Sequence, residues 1–317
     1  MKKMLLIAVA AMVSLSSCVN TNEVYTGPVQ EMGFKSAVTR AIIQNNTDFT
    51  GSISVTAAWD NPSSTKFVPY FENAEFVNDG ALWKGNPAKY WPTIGDMQFL
   101  AVHPYPVTAH VTPNYNVDGT IQSLLFGTID NNILNQHDIL FSDMLEVTAP
   151  KTSAQPLLFH HAYAQLNVTF KKTDSAAEVV VKSVSVKDVY LNGILTVTPV
   201  SGAASTATWQ TGLDVDRYFL DVAATGVEDT TLDAVLQAST AFAPNAMVVI
   251  PSAQTQIVIV YTIDGIQHTY THTLSGDWEM GNKYTYNYTI NVNEIIFDCT
   301  VEDWVDGNVG VNGSITI

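Results

Sequence analysis

Apolar and polar side chains alternate with a period of two along most of this chain, the spacing of strands that bury one face. Ile53, Val55 and Ala57 share one side of a strand over 52–58. The runs 67–77 and 81–84 flank Asn78-Asp79-Gly80, a hairpin turn signal. Phe99, Ala101 and His103 keep step over 97–104, and a long strand is expected over 157–170. Further strands are predicted at 178–191, 246–250, 256–263, 267–274, 283–291 and 295–304. Asn192-Gly193, Asp264-Gly265 and Ser275-Gly276-Asp277 supply turns between them. Residues 108–135 carry scattered turn residues and read as loop with short elements. Leu232, Val235 and Leu236 keep helical spacing, so 230–239 reads as a short helix. The sum is an all-β chain built from sandwiches.

The alternation persists to the last residues. Val309, Val311, Gly313, Ile315 and Ile317 fall on one face, and Asn308, Gly310, Asn312, Ser314 and Thr316 on the other. No turn signal or partner strand follows, so 305–317 is expected to pair backwards into its own domain or forwards into another molecule. Burying its four branched apolar side chains would contribute roughly 1.5–3 kcal/mol each.

The N-terminus favours the second option. Lys2 and Lys3 precede an apolar run over 4–15 that is too short to span a bilayer. Leu15-Ser16-Ser17-Cys18 then has the form of a bacterial lipobox, which predicts removal of 1–17 and a diacylglycerol on the Cys18 thiol. Residues 19–39 are polar and read as a tether with a strand-like end at Phe34, Ser36 and Val38. Arg40-Ala41 follows in a small-residue setting, an accessible site for a trypsin-like protease. The chain's other arginine is Arg217.

Composition narrows the function. The 317 residues suit two domains of ordinary size. Net charge is −16, which makes nucleic acid a poor partner, since phosphates must be neutralised by Lys and Arg. Once Cys18 is lipidated, Cys299 has no partner within the chain and reads as a small buried strand residue.

Several patches together resemble the fimbrillin family, the Mfa-like subunits of Bacteroidetes type V pili. They are the lipobox, the Arg40-Ala41 junction, and Tyr90-Trp91-Pro92 with the run from Phe99 to Pro104. The segment from Leu157 through His160-His161 to Leu166, the run from Met280 to Tyr286, and Cys299 to Trp304 complete the set. The resemblance implies two transthyretin-like β-sandwich domains in tandem, here 41–155 and 156–304, after a lipidated tether over 18–40. It also implies export as a lipoprotein and cleavage after Arg40 by an Arg-specific protease. Assembly would follow when one subunit's tail, 305–317, fills the groove left by its neighbour's removed N-terminal strand. The implied partners are other copies or related pilus subunits, that protease, and outer-membrane lipid through Cys18 before processing. The implied location is the cell surface and its fimbrium. A tip or anchor adhesin that binds glycan or protein without polymerising is the alternative, and a carbohydrate-binding outer-membrane lipoprotein is a third reading.

No catalytic, cofactor-binding or metal site is expected. His268 and His272 share a strand face about 13 Å apart, too far for one metal. His160 and His161 point to opposite faces. No phosphate loop, nucleophile elbow or zinc-type spacing occurs. Tyr284, Tyr286 and Tyr288 share a face that reads either as core or as a sugar platform.

Overall fold

The computed structural model describes residues 30–36, 51–80, 82–105, 111–115, 119, 121–129, 136–173, 177–198, 200, 204–212, 214–221, 234–236, 241–291 and 294–304. Among these residues every regular element is a strand.

The first sheet has nine strands. Their order is Gln155–Leu157, Gly33–Ser36, Trp83–Gly85, Phe67–Asn78, Ile53–Asp60, Asp96–His103, Leu140–Ser142 and Phe159–His161, with Leu145–Thr148 also paired to Asp96–His103. The Asn78-Asp79-Gly80 turn forms where the sequence places it, with Gly80 at positive φ and Asn78 paired to Trp83. Inward residues from across the sheet, among them Phe34, Phe76, Trp83, Phe99 and Leu157, form one core. Trp83 and Phe159 are far apart in strand order, yet their rings lie 6.1 Å apart. The sheet therefore folds over on itself.

The second core lies between two sheets. Met247–Val249, Ala164–Lys172, Asn282–Ile290 and Ile295–Asp303 form one. Asp214–Asp221, Val179–Tyr190, Gln256–Ile263 and Ile266–Thr273 form the other. Rings cross the gap: His272 lies 3.9 Å from Phe297, and Tyr270 lies 6.4 Å from Tyr288. Tyr284, Tyr286 and Tyr288 are buried in this core, so they are packing residues and not a sugar platform. Their hydroxyls are satisfied inside it by Asp277 O, Trp278 Nε1 and His272 Nδ1. Asp264 and Gly265 both have positive φ, as the tightest hairpins require.

A third sheet joins the two halves of the chain. Val111–Tyr115 and Ile121–Thr128 form a hairpin, and Asn192–Thr198 with Thr206–Thr211 form another. The hairpins pair along Ile121–Thr128 and Asn192–Thr198. A core beneath them collects Leu195 and Val197 with Leu100, Val102, Phe141, Val248 and Ile250. Asp96–His103 thus lies between two cores and is apolar on both faces, with Phe99 and Ala101 in one and Leu100 and Val102 in the other. Ile53–Asp60 gives Ile53, Val55 and Ala57 to the first core and buries Ser54 and Thr56 on its other face.

Four local expectations change. Residues 108–135 contain a paired hairpin, because partner strands at 192–198 supply the ladder that the irregular sequence does not advertise. Ala234–Val235 is a strand on Val180 and Val181; sheet pairing overrides the helical spacing there. The strand expected over 157–170 is three pieces, since the chain leaves the first sheet after His161 and enters the second at Ala164. Asn192-Gly193 opens a strand, not a turn; a Cβ on Gly193 would sit 2.8 Å from Gln210 O, so glycine admits the neighbouring strand.

One sheet built from both halves should make unfolding a single event. Leu195→Ala in the shared core should cost about 2–5 kcal/mol and shift one melting transition, seen alike by far-UV circular dichroism and tryptophan fluorescence. Two separated transitions would show that the halves fold independently.

Candidate functional site

Gly33–Ser36 occupies a slot inside the first sheet. It runs parallel to Gln155–Leu157 on one side and antiparallel to Trp83–Gly85 on the other. Residues just before it add backbone bonds: Met32 N donates to Lys89 O at 2.7 Å, and Trp91 N donates to Gln30 O at 2.9 Å. The alternation read at Phe34, Ser36 and Val38 extends back to Met32. Met32 and Phe34 are fully buried, while Glu31 and Lys35 are exposed. Ring contacts set the Phe34 position: Phe76 and Phe99 each stand 5.1 Å away, edge to face. Such pairs add about 0.5–1.5 kcal/mol each beyond area burial. Gly33 faces Ala154, just before the parallel strand; a Cβ at Gly33 would make ordinary contact there, 3.8 Å from the Ala154 Cβ.

Trp83 forms a wall of the slot and is fixed from behind, since its Nε1 donates to Gly51 O at 2.9 Å. Gly51 in turn lies against the His103 ring, where a Cβ would be 2.7 Å from Cε1. His103 is buried with Nδ1 3.1 Å from Ser52 O. Burial disfavours its charged form and holds its pKa at about 4.

A second arrangement gathers at Trp304. Its indole stacks on His161 at 3.9 Å and 8°, and the Trp304 backbone N–H donates to Gly281 O at 2.7 Å. His161 Nδ1 is bonded to the buried Asp138 carboxylate. Gly281 N donates to Tyr163 O at 2.9 Å, and Trp209 Nε1 donates to Ala162 O at 2.7 Å. Residue 304, the root of the tail, is therefore seated at the junction of the sheets. Its seat, His161, and one wall of the slot, Gln155–Leu157, belong to one stretch of seven residues.

The residues singled out in the sequence divide accordingly. Cys18, Arg40 and Ala41 lie outside the described residues, as do Val309, Val311, Gly313, Ile315 and Ile317. Cys299 is half-buried on the Ile295–Asp303 strand, and burial pushes its thiol up to about 11, away from reactivity. His268 stacks on Tyr261 and His272 bonds Tyr288. Among the described residues no group of His, Cys, Asp or Glu is arranged to hold a metal. The sequence reading missed the parallel pairing to 155–157 and the His161–Trp304 stack, which no local pattern encodes.

A family model described as fimbrillin-like matches residues 39–304. No curated relative matches. Among solved structures, a candidate cell-adhesion protein from Bacteroides uniformis is 16% identical, with a TM-score of 0.54 over 87% of this chain and 99% of its own. One from Bacteroides ovatus is 15% identical, with a TM-score of 0.52 over 90% of this chain and 100% of its own. A fimbrial protein from Bacteroides vulgatus is 16% identical, with a TM-score of 0.50 over 80% of this chain and 92% of its own. At these identities the likeness is one of fold.

The depressed His103 pKa sets a pH dependence. Between its ordinary value near 6.5 and about 4, the unfolded chain binds a proton there that the folded chain refuses. Stability present above pH 6.5 is therefore lost as pH falls towards 4, by about 3 kcal/mol from this group. Urea unfolding at pH 7.5 and 4.5 should show a smaller loss in His103→Gln than in the wild type. Equal losses would contradict the assignment.

Proposed function

We propose, from the premise that the chain belongs to the fimbrillin-like family, that it is a structural subunit of a cell-surface pilus that assembles by strand exchange at the Gly33–Ser36 slot. In this reading the chain is exported as a lipoprotein, anchored in the outer membrane through Cys18, and matures by cleavage between Arg40 and Ala41. Two tandem sandwiches make its body. Its tail, 305–317, is a donor strand for a neighbouring subunit, and its place is the fimbrium.

The observation that carries this reading is the position of the buried strand. Gly33–Ser36 fills an interior place in the sheet, yet it precedes Arg40 in the sequence. Before the cut, covalent attachment keeps its effective concentration in the slot high. After the cut it is a separate ligand, held by two buried side chains and a short ladder, and it can leave. Departure would expose Phe76, Trp83, Phe99 and Leu157 with unpaired backbone groups of 83–85 and 155–157, both unfavourable in water. A strand from another chain satisfies both. Head-to-tail contacts of this kind do not close on themselves, so they build a filament. An uncut chain keeps its slot filled; it fits the anchor reading, in which the subunit terminates the filament at the membrane.

Proteolytic activation in the presence of the other pilus subunits, followed by electrophoresis of SDS-resistant multimers, tests the scheme. Arg40→Ala should abolish the ladder. Val311→Asp or Ile315→Asp should abolish it as well, since an unpaired carboxylate in an apolar slot costs several kcal/mol. Asn312→Asp and Ser314→Asp should leave it intact. A full ladder from Arg40→Ala, or equal ladders from inward and outward aspartates, would contradict the reading.

A further inference from the structure

The slot makes a demand on its occupant that this chain's own tail does not meet. Phe34 meets Phe76 at 64° and Phe99 at 69°, both at 5.1 Å. These edge-to-face contacts depend on the opposite charge of a ring's edge and face, and an aliphatic side chain makes neither. The walls are themselves held by rings. Phe99 stands 5.5 Å from Trp91 at 77°, and Phe71 stands 6.0 Å from Phe76 and 6.4 Å from Phe99. A core packed in this way relaxes only partly when a smaller side chain enters, and a void remains. The Met32 position is more tolerant, because a thioether side chain adapts to an irregular space.

The inward face of the tail offers Val309, Val311, Gly313, Ile315 and Ile317. Shifting the register by two residues exchanges one aliphatic side chain for another, or for none. Shifting it by one turns Asn308, Asn312, Ser314 and Thr316 inward. No register brings a ring to the place of Phe34.

We propose that the emptied slot takes the donor strand of a different subunit, one with an aromatic side chain at the Phe34 position and an apolar, flexible one two residues away. This inference rests on strand exchange at the slot as proposed above, and it names the partner. The chain then stands where two kinds of subunit meet, and not within a run of identical copies.

Fluorescent peptides test the partner. The full-length protein is cut after Arg40 and incubated with three kinds of probe. One is residues 28–40, the slot's own strand. Another is residues 305–317. The third is residues 305–317 carrying Val311→Phe, Gly313→Phe or Ile315→Phe. Residues 28–40 should rebind, and Phe34→Leu in that peptide should weaken binding about ten-fold, the factor that one or two ring contacts supply. The best phenylalanine variant of the tail should bind about ten-fold more tightly than the unaltered tail. If residues 28–40 rebind while the unaltered tail equals its best phenylalanine variant, the inference falls and strand exchange stands. If residues 28–40 fail to rebind, exchange at this slot fails and the inference falls with it.

Discussion

An interior strand of a sheet has to be present. Gly33–Ser36 is bonded on both sides, so each neighbour depends on it for the ladder hydrogen bonds of one edge. Gln155–Leu157 joins the first sheet through this strand and no other among the described residues. Met32 and Phe34 also complete the first core, where five aromatic residues beyond Phe34 meet around the slot: Phe71, Phe76, Trp83, Trp91 and Phe99. Emptying that place would leave Gln155–Leu157 without a sheet partner among the described residues and would open the first core. Whatever occupies it needs an extended backbone, alternating apolar side chains and a ring at one position. Recognition there is a matter of filling a core, not of matching charges at a surface.

The same constraint links the slot to the other end of the described chain. Residues 155–161 form a slot wall at one end and present His161 to Trp304 at the other. The Asp138 carboxylate fixes the His161 ring, which in turn seats the indole. Under strand exchange, the incoming strand would lie against Gln155–Leu157 and the outgoing tail would leave from Trp304. A short stretch of backbone then connects one inter-subunit junction with the next. The third sheet reinforces this path, because its strands come from both halves and lock them together.

Much of this was legible in the sequence because strands announce themselves locally. The alternation at 53–57, the Asn78-Asp79-Gly80 hairpin and the Asp264-Gly265 turn all depend on neighbouring residues and appear where the pattern places them. The strand-like character of Phe34 was visible too. Its partner was not, since the parallel match to 155–157 joins segments far apart in sequence. The hairpin at 111–128 failed for the same reason: its order comes from 192–198 and not from its own spacing. Val235 and Leu236 show the converse, a helical period cancelled by a strand already waiting at 180–181. For Cys18, Arg40, Ala41 and the tail, lying outside the described residues, the sequence remains the ground of the reading.

A reversible lock on the slot tests the account most directly. Gly33→Cys with Ala154→Cys would place two thiols on carbons about 3.8 Å apart, the usual spacing across a disulfide. In the presence of the other pilus subunits, the oxidised double variant, cut after Arg40, should keep its strand and accept no donor, while added reductant should restore the ladder and each single variant should assemble normally. Assembly of the oxidised, cut protein at the rate of the reduced one would show that the Gly33–Ser36 slot is not where subunits join.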